Sequence, residues 1–110
     1  MEIKKADELQ ISDFGLYKMV DAFNKNPNRK VKMGKSFMKH GARVPYDGMS
    51  SHDEDEYSYV IKGSLSAHTE NVSTVITSGD FGFIPKGTKH WCKNEGDEDC
   101  ELIWILVGEQ

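Results

Sequence analysis

His90 is the residue around which chemistry can be built. It follows the stretch Gly79-Asp80-Phe81-Gly82-Phe83-Ile84-Pro85-Lys86-Gly87-Thr88-Lys89, in which a short apolar run ends at Pro85 and Gly87. Proline presets φ and glycine accepts positive φ, so the pair makes a tight turn. The chain re-enters as a strand, and the imidazole is held just past a rigid corner, as a metal ligand or general base needs to be. A histidine after a turn is more often a plain surface or core residue. The stretch that gives His90 weight lies upstream, Ser50-Ser51-His52-Asp53-Glu54-Asp55-Glu56-Tyr57-Ser58-Tyr59-Val60-Ile61-Lys62-Gly63. His52 to Glu56 is the densest charge cluster of the chain, and Asp53, Glu54 and Asp55 read as a solvated acidic loop.

These residues must be positioned by strands. Val31–Met38 alternates loosely, and Val44–Gly48 is extended and then turns. Tyr57–Lys62 is a strong strand closed by Gly63, with Ser64–Thr69 continuing after the bend. Val72–Ile76, Phe81–Ile84, Lys89–Lys93 and Cys100–Val107 complete the set. Short strands at close spacing, with glycine at the bends, predict an all-β sandwich or barrel. Residues 1–12 are polar. Asp13 to Asn24 carries Leu16, Met19, Val20 and Phe23 at helical spacing behind a possible Asp13 N-cap, which favours a short helix over a strand and turn. Asn24–Asn28 reads as a loop.

In Cys100–Val107, Leu102, Trp104 and Leu106 share one face, and Ile103, Ile105 and Val107 the other. A strand apolar on both faces needs cover on both. One face belongs to the core. The N-terminal segment or a second subunit covers the other, which makes a homodimer a reasonable expectation.

The size and charge narrow the function. At 110 residues one domain, 1–110, is expected, with a barrel core at about 31–107 and an N-terminal extension at 1–30. The 37% hydrophobic residues suffice for one modest core. No apolar run approaches the ~20 residues of a membrane span. Met1 to Glu8 lacks the apolar core of a signal peptide, so a cytoplasmic protein without membrane partners is the default. A net charge of −4, from 14 basic and 18 acidic residues, disfavours nucleic acid as a partner. The mild basic gathering at Lys25 to Lys39 reads as a solvated loop. Cys92 and Cys100 flank an expected turn at Asn94-Glu95-Gly96-Asp97 and could face each other across a hairpin. They read as reduced, partly buried thiols rather than a disulfide framework.

Read together, the two stretches resemble the cupin family. Its second motif, G-x5-P-x-G-x2-H-x3-N, is met at Gly79, Pro85, Gly87, His90 and Asn94 without departure. The first, G-x5-H-x-H-x(3,4)-E-x6-G, is met in its second half by His52, Glu56 and Gly63. Its first histidine falls on Ser50, and the leading glycine is out of register, with Gly41 and Gly48 as candidates. The resemblance covers about Val31 to Val107. It implies a cupin jelly-roll barrel (a double-stranded β-helix) with one open, ligand-sized mouth. Cupins usually hold a divalent metal with three histidines and a glutamate. Carried over, this leaves His52, Glu56 and His90 as metal ligands, with Ser50 at the missing position, where it would orient a completing water.

Two imidazoles and a carboxylate suit Fe(II), Mn(II), Zn(II) or Ni(II) and leave positions open for substrate. Strand parity puts Glu56, Ser58 and Val60 on one face, and His90 and Cys92 on one face, so Cys92 is a possible additional ligand. His40 and His68 read as ordinary surface histidines. Phe83 and Trp91, beside the motif, are the first candidates for pocket walls. The leading expectation is a small metalloenzyme acting on a small organic molecule as a dioxygenase, isomerase or lyase. The alternative is a non-catalytic small-ligand-binding module with a degenerate metal site, to which the serine at position 50 points.

Overall fold

The computed structural model describes residues 1–24 and 29–108. Among the described residues ten strands form: β1 (Ile11–Asp13), β2 (Tyr17–Phe23), β3 (Val31–Met38), β4 (Arg43–Val44), β5 (Asp55–Lys62), β6 (Ser64–Thr69), β7 (Ser73–Thr77), β8 (Phe81–Ile84), β9 (His90–Lys93) and β10 (Cys100–Val107). They build two sheets, one of six strands in the order β1-β2-β3-β10-β5-β8 and one of four in the order β4-β9-β6-β7. Every pairing is antiparallel. The fold is all-β.

β10 lies inside the larger sheet, paired along its length with β3 on one side and β5 on the other. Its inward residues Cys100, Leu102 and Trp104 are buried and join Met38, Ala42, Val60 and Leu65 in one core. Inward positions recur every second residue, as the pleat requires. Trp104 lies opposite Gly34, and this pairing demands glycine. A Cβ at Gly34 would come within 2.5 Å of Trp104 Cζ2 and would collide with the Val20 carbonyl oxygen. The indole therefore uses the space that a side chain on β3 would fill.

The expected helix over Asp13–Asn24 is not formed. That segment holds the end of β1, a turn and β2. Gly15 N–H donates to Asp13 Oδ1 at 2.9 Å, and Phe14 N–H to the Tyr17 carbonyl at 2.9 Å, closing a hairpin rather than capping a helix. Pairing of β2 along β3, from Tyr17↔Met38 to Phe23↔Met33, outweighs the local spacing. Ahead of β1 there is one 3-10 turn, Ala6–Glu8. The expected loop at Asn24–Asn28 lies, from residue 25 on, outside the described residues.

The two cysteines do not face each other across a hairpin. β9 belongs to the smaller sheet and β10 to the larger, so the chain crosses between sheets after Asn94. Both thiols are free. Among the described residues no helix is long and apolar enough to cross a membrane.

Candidate metal centre

The turn before β9 has the geometry that Pro85 and Gly87 promise. Thr88 N–H donates to the Pro85 carbonyl at 3.2 Å, and Gly87 adopts φ +78°. Such a φ strains any residue with a Cβ. Gly87 N–H donates to the His52 carbonyl at 2.8 Å, and Lys86 N–H to Asp55 Oδ1 at 2.9 Å. The turn ahead of His90 is thus stitched to the segment that carries His52 and leads into Glu56.

β9 is itself fixed on both sides. Thr69 on β6 pairs with His90, and on the other side Ser50 and His90 exchange N–H···O bonds of 2.9 Å each way. Directly opposed residues share a face, so Ser50 stands beside His90 at the edge of the site.

His52, Glu56 and His90 meet there. Each offers one ligand atom, and the three atoms lie within 4.8 Å of one another. His52 Nε2 is 3.9 Å from Glu56 Oε1, and the two imidazoles sit edge to face with centroids 4.9 Å apart. His90 Nδ1 is 2.8 Å from the Thr88 carbonyl oxygen. A carbonyl only accepts, so Nδ1 carries the proton and Nε2 keeps its lone pair. Backbone orientation of the second ring nitrogen is how proteins set a ligating imidazole. All three residues are half-buried, open enough for exchange yet sheltered from bulk water. Two imidazoles and a carboxylate, one of them held in the right tautomer, fit a divalent transition metal.

Other residues singled out in the sequence lie elsewhere. Cys92 follows His90 on the inner face but one step deeper, against the core, and does not join the clustered donors. Burial pushes its thiol up to about 12, reinforced by the Glu56 carboxylate and by Cys100. Phe83 is on the outer face of β8, packed on Tyr57 with centroids 4.9 Å apart. Trp91 also faces outward, stacked on His68 at 3.8 Å with the Arg43 guanidinium 4.2 Å from its ring. Neither lines the triad. Inner-face neighbours of Glu56 are Ile84 and Leu106, which the cross-strand register supplies. His40 is exposed, with Nδ1 2.6 Å from the Gly96 carbonyl.

Asn94, a motif position for which spacing suggests no role, proves structural. It is fully buried, donates to the Met38 and Glu98 carbonyls at 2.8 and 2.9 Å, and accepts from Gly96 N–H at 2.9 Å. One amide side chain thereby ties β3 to the crossover between β9 and β10.

A family model described as "Cupin domain" matches residues 37–106. No curated protein matches the chain. Among solved structures, an RmlC-like cupin from Shewanella frigidimarina is 22% identical with a TM-score of 0.81, covering 100% of this chain and 93% of that one. A protein from Thermotoga maritima described as a predicted oxalate decarboxylase is 20% identical with a TM-score of 0.85, covering 98% and 100%. KdgF from a Halomonas species is 14% identical with a TM-score of 0.78, covering 100% and 96%. At these identities the likeness to the solved structures is one of fold.

Proposed function

This chain belongs to the cupin domain family, and from that premise we propose that it is a small metalloenzyme acting on a small organic molecule, with His52, Glu56 and His90 as its metal ligands. The clustering of three donor atoms within 4.8 Å carries the reading. The ion would be Fe(II), Mn(II), Zn(II) or Ni(II). When bound, it supplies Lewis-acid polarisation of a substrate oxygen or, as iron, electron transfer to dioxygen.

The residues narrow the substrate. Two neutral imidazoles and one carboxylate leave a divalent ion one positive charge in excess, so the site favours an anionic oxygen such as a carboxylate or enolate. The predicted oxalate decarboxylase among the similar structures has a name that fits an organic acid. Ile84 and Leu106 flank Glu56 with apolar surface on both sides, which lowers the local polarity and strengthens its charge interactions. Thr88 keeps the His90 proton on Nδ1, away from the reacting groups. Lyase or isomerase chemistry at such a site needs no oxygen; dioxygenase chemistry needs iron.

The reading extends to a homodimer in a cytoplasmic setting. It draws on the two free thiols and on the apolar outer face of β10.

A second reading, a non-catalytic ligand-binding module, is favoured by one observation. Ser50 stands beside His90 where the family motif has a histidine. Thermal melting with each ion in turn separates the two. An ion at about 100 times its dissociation constant stabilises by about 2.7 kcal/mol, which raises Tm by roughly 10 °C or more for a chain of this size. No shift with any of the four ions would overturn the metalloenzyme reading in favour of the module.

A further inference from the structure

One step deeper than Glu56, the inner face of the six-stranded sheet carries a layer that the metal ligands do not use. In register it runs Gly34, Trp104, Ser58 and Gly82 across β3, β10, β5 and β8. Two glycines and a serine leave this layer small except at the indole, whose Cζ2 edge lies against Gly34. Ser58 faces inward yet is only half-buried, so it is reached through the mouth of the barrel. One layer further in, Val60 and Leu102 are buried and close the floor.

Both polar side chains of this layer are unpaired. Among the described residues Ser58 Oγ has no hydrogen-bond partner, and neither has the buried Trp104 Nε1. Buried donors in proteins are as a rule paired. Ser58 and Trp104 are directly opposed on adjacent strands, within reach of one acceptor. A Cβ at Gly82 would come within 2.6 Å of Ser58 Oγ, so the glycine keeps the approach to the hydroxyl open.

We propose that Ser58, with the Trp104 N–H beside it, binds a second oxygen of the substrate and so fixes the substrate's class. Glu56 and Ser58 are two residues apart on one strand, ~7 Å. That spacing suits an acid of about five carbons, with its carboxylate at the metal centre and its second oxygen on this layer. Charge makes the second oxygen neutral. The layer holds no cation, and the inner residues Cys92 and Ala67 of the facing sheet bring none. Lys32 belongs to the layer of Glu56 and is paired with Glu54 at 3.3 Å. A second carboxylate beside Ser58 would be buried without a counter-charge, whereas a carbonyl or hydroxyl oxygen gains two donors. The class is a keto or hydroxy monocarboxylic acid. The inference rests on the metalloenzyme reading and adds to it a substrate class and a specificity residue.

Calorimetric titration of the full chain with 4-oxopentanoate, pentanoate and glutarate tests it, on wild type, Ser58→Ala and Trp104→Phe, with metal content read on each sample. Metal-loaded wild type is expected to bind 4-oxopentanoate roughly 5-fold or more tightly than pentanoate, which lacks the carbonyl, and than glutarate, whose far end is charged. Ser58→Ala is expected to keep its metal, since Ser58 is not a ligand. It is expected to lose roughly 5-fold for 4-oxopentanoate, while its affinity for pentanoate stays that of wild type. Trp104→Phe deletes the N–H and keeps a ring, and is expected to weaken the same preference. Metal-loaded wild type that binds the probes alike, or binds none, overturns the inference. A preference unchanged in either variant overturns the part of that residue and leaves the metal reading standing. Wild type without metal overturns the metalloenzyme reading and the inference together.

Discussion

Gly87 donates its backbone N–H to the His52 carbonyl at 2.8 Å, and so joins the turn before one histidine of the triad to the backbone of the other. The relationship explains why a turn glycine belongs to the candidate metal centre though it offers no ligand. At φ +78° a Cβ costs about 1–2 kcal/mol. Gly87→Ala is expected to lower unfolding free energy by about that amount and to loosen metal retention, because the turn relaxes by moving His52 relative to His90. Urea unfolding and dialysis against chelator read the two effects separately.

His90 sits between Ser50 and Thr69 with its proton on Nδ1. His90→Ala is expected to abolish metal retention while far-ultraviolet circular dichroism stays that of the folded barrel. His40→Ala and His68→Ala are expected to retain metal as the wild type does, since neither joins the triad. Full occupancy in His90→Ala would mean the site lies elsewhere.

Asn94 satisfies two carbonyls and one N–H in a fully buried position. Each unsatisfied buried polar group costs about 1–3 kcal/mol. Asn94→Ala is therefore expected to be among the most damaging single substitutions, at about 3 kcal/mol or more. Scanning calorimetry would show a fall in Tm of well over 10 °C by the usual conversion.

Much of this was legible in the sequence, for an identifiable reason. Gly79, Pro85, Gly87, His90 and Asn94 lie on two tight turns joined by the short strand β8 and followed by β9, all local in the chain, so their spacing alone carries their geometry. Strand parity likewise put Glu56, Ser58 and Val60 on one face, because the period of two is local. What failed depended on partners distant in the chain. The helical spacing of Leu16, Met19, Val20 and Phe23 yielded to pairing with β3. Phe83 and Trp91 were expected near the site from proximity in sequence, yet β8 and β9 turn them outward. Ile84, the neighbour of Glu56, was invisible until the register of β5 on β8 was known. The burial of Asn94 depends on Met38, far away in the chain.

Burial pushes the Cys100 thiol up to about 11, with the Glu101 and Glu98 carboxylates adding to the effect. A thiol whose pKa is raised in the folded state stabilises fully below its ordinary value of 9.0, and that stability is lost as pH rises toward about 11. Unfolding free energy is expected to decline between these limits, with the raised Cys92 thiol adding to the slope, and Cys100→Ala to make the decline shallower without abolishing it, at a constant cost of about 1 kcal/mol. An equally steep decline in the variant would assign it to other groups.

His52, Glu56 and His90 are proposed to hold a metal ion, and elemental mass spectrometry of freshly purified protein tests that assignment. Close to one iron, manganese, nickel or zinc per chain is expected, falling to background in His90→Ala. No metal in the wild type after dialysis against each ion, or equal metal in the variant, would contradict it.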